Sequence, residues 1–214
     1  MGRGPVGEPA IIRYVNNSLA SVTDVSGIDG AMIFIKTLTA DASTATLSFV
    51  NGTSDVVLDS TYPIYLFKFI NVHPNGDGDI LRVNFSDDTS SHAYNLTKTT
   101  TKFDTRHDED GSDGGITYST GTDVAQGTGV QDLTPGINNA NEASASGEMY
   151  LFNPSSTTFI KHFLSTTSVD GGGRATGSFV GGYVNTTAAV TAVQFTLGSQ
   201  WDAGTVKLYG IKDS

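Results

Sequence analysis

Short runs in which apolar and polar positions alternate, separated by clusters of Gly, Asn, Asp, Ser and Pro, recur along this 214-residue chain. Alternation with period two marks a strand that buries one face, whereas an amphipathic helix would repeat apolar residues at i, i+3, i+4 and i+7. No convincing helical window exceeds about ten residues. The runs predict strands over 31–38, 45–50, 56–59, 64–72, 79–86 and 92–99, and again over 147–153, 159–166, 177–185, 189–198 and 204–211. In 189–198, Ala189, Thr191, Val193, Phe195 and Leu197 form the apolar side, and in 204–211 Val206, Leu208 and Gly210 share a face. The segment 64–72 is apolar on both sides apart from Lys68, which predicts a central strand covered on both faces. Many short strands broken by turn clusters give an all-β fold, an antiparallel β-sandwich.

Two segments depart from this pattern. Residues 1–27 begin with a Gly- and Pro-rich leader and then carry one apolar patch, Ile11, Ile12, Tyr14 and Val15. They fit either a frayed terminus or an extended arm that docks on a partner subunit. Residues 28–214 then form a single sandwich domain. Within it, 103–146 is a long polar stretch, expected to be a functional loop or an excursion packed against a neighbour.

Composition narrows the chemistry. The chain has no cysteine, which removes thiol catalysis, Cys-based zinc sites and disulfides. Its formal net charge is −10, and the 12 Lys and Arg are scattered, so nucleic-acid binding is not expected. No run approaches the length needed to span a bilayer as a helix, and the leader lacks the apolar core of a secretory signal, so no membrane insertion is expected.

The candidate motifs resolve toward shape. In "HPNGDGD" the carboxylates resemble a calcium loop, but an EF-hand pattern begun at Asn75 puts Ile80 where Gly is needed and Ser86 where a bidentate Glu is needed. Asn-Gly and Asp-Gly are strong turn dipeptides, so 75–79 reads as a turn. The acidic run "RHDEDGSDGG", 106–115, matches no ligand template and reads as a solvated loop tip. Most Asp and Glu fall in such turns, where two carboxylates are not held rigidly across a substrate. His73, His92, His107 and His162 show no metal spacing, no nucleophile elbow is present, and "DGGGRATG" lacks the Lys-Ser/Thr of a phosphate loop and reads as a hairpin. No catalytic residue, cofactor or metal ligand is therefore expected. Trp201, in a turn between strands, is open to three roles: ligand contact, subunit contact, or capping the sandwich end.

The C-terminal "AVTAVQFTLGSQWDAGTVKLYGIKD" resembles the closing strands of a family of virion structural proteins from tailed bacteriophages, common in marine phages. The likeness runs upstream through "GGYVNTTAAV", "LFNPSSTTFIKHF" and "STYPIYLFKFINVHP", covering roughly residues 30–211. It implies a jelly-roll-type sandwich on the particle surface or in a tail appendage, made in the host cytoplasm, with other virion proteins as partners. It carries over no enzymatic residue. Trp201 stands where the family more often has a small polar residue, and residues 1–27 lie outside the shared pattern. Closed symmetry is the rule for homo-oligomers, and phage fibre modules often associate in threes, so a homotrimer is expected. The alternative role is a fibre-tip module that binds a receptor or a host-surface glycan.

Overall fold

The computed structural model describes residues 31–212. The expected arm, with Ile11, Ile12, Tyr14 and Val15, lies outside the described residues. Twelve strands run in the order β1 Met32–Ala40, β2 Thr46–Val50, β3 Ile64–Pro74, β4 Arg82–Ser86, β5 Lys98–Asp108 and β6 Gly114–Tyr118, then β7 Gln131–Asp132, β8 Ala145–Phe152, β9 Lys161–Asp170, β10 Arg174–Val184, β11 Ala192–Thr196 and β12 Trp201–Ile211. They form an eight-stranded sheet, β1-β12-β3-β8-β9-β10-β5-β6, and a four-stranded sheet, β2-β11-β4-β7. Every paired neighbour is antiparallel.

Two hairpins, β5–β6 and β9–β10, are insertions in a simpler plan. Without them, eight strands remain, and numbered in chain order they lie 1-8-3-6 in one sheet and 2-7-4-5 in the other. That is the strand order of a jelly roll, the sandwich of two Greek keys. The hairpins are separate in sequence but adjoin in space. β9 pairs with β8, and β10 then pairs with β5, so the larger sheet grows by four strands past its partner.

The core lies between the four-stranded sheet and the β1-β12-β3-β8 half of the larger one. Tyr65, Phe67 and Phe69 of β3, Met149 and Leu151 of β8, and Val206 and Leu208 of β12 point inward against Phe49, Val83, Phe85, Val193 and Phe195. Phe195 sits edge-on to Phe49, Phe67 and Phe69, with ring centroids 6.3, 5.2 and 5.1 Å apart. Fully burying one such side chain stabilises the fold by about 1.5–3 kcal/mol.

On β9, β10 and β5 the inner face mixes polar groups with the apolar Phe163, Val169, Val180 and Val184. Lys161, Thr167, Thr176, Ser178, Thr100 and Lys102 are all buried there. Residues 119–137 form much of the lid over this face. Gln131 accepts a hydrogen bond from the Thr100 hydroxyl, and Thr167 Oγ1 donates to the Leu133 carbonyl at 2.8 Å. Three buried ammonium groups stitch loops to strands. Lys98 Nζ donates to the carbonyls of Leu96 at 2.9 Å and Gly129 at 2.6 Å. Lys102 Nζ reaches the Thr134 carbonyl at 3.3 Å, and Lys161 Nζ reaches those of Ser156, Phe159 and Thr186 at 2.6, 3.0 and 3.2 Å. Burying an ammonium is costly unless its donors are satisfied, and backbone carbonyls satisfy them here.

Several expectations change. Residues 103–146 are not one loop: the end of β5, all of β6 and β7, and the start of β8 fall inside them. Residues 56–59 are not a strand, although Val56 and Leu58 are buried, and residues 92–97 are irregular, with β5 beginning only at Lys98. The Asn-Gly-Asp-Gly segment does turn, with Gly78 at φ +74°, but it joins β3 of one sheet to β4 of the other rather than closing a hairpin. Asp79 anchors it by accepting hydrogen bonds from the Ser199 amide, at 2.8 Å, and the Ser199 hydroxyl. Residues 170–174 do close the β9–β10 hairpin, with Gly172 and Gly173 at φ +73° and +84°.

Candidate interaction face and cleft

Because strand side chains alternate, the residues of the larger sheet that point away from the core form a second face. Backbone register places Phe34, Tyr209, Leu66, Tyr150, Leu164, Gly181 and Thr101 in one row across seven strands. The next row runs Thr37, Lys207, Lys68, Glu148, Thr166, Phe179, Phe103 and Tyr118 across all eight. Outward faces of sandwiches are ordinarily polar, but this one carries several large apolar and aromatic side chains among its polar ones. Among the described residues, Met32, Phe34, Ile70, Phe103, Ile116, Tyr118, Leu164 and Phe179 all stand on it and are exposed. Leu66 is only 3% exposed, because Tyr209 and Tyr150 flank it in register. Phe103 and Phe179 stack with centroids 4.9 Å apart and planes 12° apart, and Phe34 meets Tyr209 edge-on at 5.7 Å.

The two-sided apolarity of 64–72 predicted a strand with a layer on each face. The four-stranded sheet supplies one layer, but on the other side no described strand covers Ile70 or its neighbours. The face carries few charges. In the two rows they are Lys207, Lys68 and Glu148, and Lys68 Nζ lies 3.5 Å from Glu148 Oε2.

An open cleft of about 360 Å3 lies on the polar side of the inserted hairpins, lined by Asp104, Arg106, Thr117, Ser119, Arg174, Thr176 and the loops at Pro135–Gly136 and Gly171–Gly172. Asp104 is fully engaged: it accepts from Ser119 Oγ at 2.8 Å, from the Ser178 hydroxyl, and from Lys102 Nζ at 3.2 Å. Both guanidinium groups already face carboxylates, Arg106 at 2.5 Å from Asp113 and Arg174 at 3.2 Å from Asp108. Asp104 is the one carboxylate in the lining, and no aromatic ring among the described residues faces the cleft. The cleft therefore offers neither an opposed pair of carboxylates nor a stacking platform for a sugar ring.

The sequence candidates fall as follows. Trp201, placed by sequence in a turn with ligand or subunit contact among its roles, is the first residue of β12 and fully buried. It closes an end of the core, and its side chain reaches neither a ligand nor a neighbour at the surface. The acidic run 106–115 is the β5–β6 hairpin turn, where Asp113 and Asp108 face arginines and Asp110 accepts from the Ser112 amide at 2.9 Å. Hydrogen bonds from Ser112 hold the Asp110 carboxyl below its usual pKa. Among the described residues no group of three or more His, Asp or Glu is arranged to hold a metal ion. His73 Nδ1 lies 2.8 Å from the Ala143 carbonyl, and His162 stands on the outer face beside Tyr183, ring centroids 6.0 Å apart. Sequence reading placed most carboxylates in turns and so missed Asp104 on β5, whereas Glu148 falls in the strand predicted over 147–153, now β8.

The outer aromatic face was also missed as a unit. Its members come from strands far apart in the chain, and Phe103 was assigned to a loop. The available signal was the second apolar side of 64–72. Comparison with protein families, with curated proteins and with solved structures finds no match to this chain.

Proposed function

We propose that this chain is a non-enzymatic structural protein of a tailed-bacteriophage particle, displayed on its surface as a capsid decoration or tail appendage. The observation that carries this reading is the outer face. A jelly roll has been widened by two hairpins, and the widened sheet presents stacked aromatic rings to solvent where a free-standing sandwich would present polar groups. Contiguous apolar patches of this kind mark association surfaces. The resemblance of residues 30–211 to virion proteins supports the same role, as does the cleft, whose charged groups Asp104, Arg106 and Arg174 are already paired with Lys102, Asp113 and Asp108. In this reading the sandwich packs against neighbouring subunits, and Ile11, Ile12, Tyr14 and Val15 of the leading segment attach it to the particle.

Antibodies raised against the purified chain, applied to intact particles from infected cells, test this by electron microscopy. Regular labelling of capsid or tail is expected. Presence of the chain in infected-cell lysate, with none in purified particles by peptide mass spectrometry, would overturn it.

A further inference from the structure

We propose that the outer face of the eight-stranded sheet docks onto the same face of a second copy of this chain, about a two-fold axis near Leu164 and Thr166 of β9. This rests on the reading above and deepens it by naming the surface and its occupant.

Size is the first support. Eight strands about 4.8 Å apart and three rows of same-side residues about 6.8 Å apart, the two above and one through Thr205, Ile70, Ser168, Gly177, Thr105 and Ile116, cover on the order of 700 Å2. A standard interface takes about 800 Å2 from each partner. The face is therefore as large as a stable dimer needs; Tyr150 and Leu164 lie at its centre beside the Lys68–Glu148 pair, and the aromatic pairs lie toward its two ends.

Charge selects the partner. The chain carries −10 overall, so most ways of bringing two copies together oppose carboxylates. The two rows across this face hold two lysines and one carboxylate, and that carboxylate already has Lys68 beside it. A second acidic chain therefore meets little repulsion between carboxylates here.

Symmetry follows from the count of patches. A head-to-tail contact needs two different complementary surfaces, whereas a two-fold contact uses one surface twice. Apart from this face, the exposed large apolar side chains among the described residues are Phe159 and Val130, which form no patch of comparable size. The contact is therefore two-fold, in place of the threefold association expected from sequence. β9 is fifth of the eight strands, so the axis passes close to it.

The chain has no native cysteine, so a single introduced thiol reports only its own symmetry mate. Three full-length proteins decide the matter: the unchanged chain, Leu164→Glu and Thr166→Cys. Sedimentation equilibrium of the unchanged chain should give a dimer. Leu164 is 53% exposed, so Leu164→Glu should leave the melting temperature at high dilution unchanged while weakening dimerisation at least about tenfold. Thr166→Cys should form a covalent dimer on mild oxidation, since Cα atoms within about 7 Å can be bridged. A monomer at high concentration, a trimer, or wild-type affinity in Leu164→Glu overturns the proposal. Should Leu164→Glu fail to fold, the Thr166→Cys crosslink decides alone. None of these outcomes alters the labelling of particles, so the two readings fail separately.

Discussion

At the scale of single residues, the buried lysines are where the sequence was hardest to read. Lys98 is fully buried, and desolvation pushes its pKa down to about 8, against about 10.4 for an unperturbed lysine. Burial also lowers Lys161, with the Asp87 charge opposing the shift. Between pH 8 and about 10.4 the unfolded chain binds more protons at residue 98 than the folded chain does, so stability from this group rises with pH across that window. Below pH 8 both states are protonated and the slope from this group vanishes. We expect denaturant titrations to show Lys98→Met losing ground to the unchanged protein as pH rises from 8 to 9.5, because only the unchanged protein gains. A constant difference across those pH values would show that Lys98 keeps an ordinary pKa. Nothing in "NLTKTTTKF" announces an internal ammonium, because the carbonyls of Gly129 and Thr134 that satisfy Lys98 and Lys102 lie about 30 residues away.

At the scale of elements, the strands lining the apolar core were legible and the polar extension was not. β3, β8, β11 and β12 show Val, Phe and Leu on their inward side, so alternation placed them within a few residues. β5 alternates as well, but in reverse. Lys98, Thr100 and Lys102 point inward and Phe103 points out, so a search for an apolar inward face passes over it. β6 has two glycines in five residues and is exposed along its length, which removes even that signal. On the outer side the Phe103–Phe179 stack joins β5 to β10. A double-mutant cycle with Phe103→Ala and Phe179→Ala should return a coupling of about 0.5–1.5 kcal/mol, the range for paired aromatic rings. Additive losses would mean that the rings touch without stabilising the pairing.

For the sandwich as a whole, the fold class could be read from the chain, but the outer aromatic face could not. That surface exists only once strands from both halves of the sequence lie side by side. Its few charges on an acidic body predict an unusual response to salt. Contacts built from ion pairs weaken as ionic strength rises, because screening removes attraction. Here screening chiefly removes repulsion between two chains of −10, so dimerisation measured at 0.05 and about 0.5 M salt should strengthen with salt. A weaker dimer at the higher concentration would point to ion pairs as the source of affinity.

The meeting of two inserted hairpins also sets a timetable. β5 ends at Asp108, and the strand that flanks it, β10, ends at Val184, 76 residues later. At about 5–20 residues per second on the ribosome, β5 and β6 wait about 4–15 s for their neighbour. An isolated two-stranded hairpin is marginal in water, so through that interval Phe103 and Tyr118 belong to a segment without settled structure. The outer-face rings of Phe103 and Tyr118 emerge before the strand that organises them, and on crowded polysomes nascent copies share the same unpaired edge. The interval between residues 108 and 184 is thus one in which newly made chains are exposed to pairing with one another instead of folding.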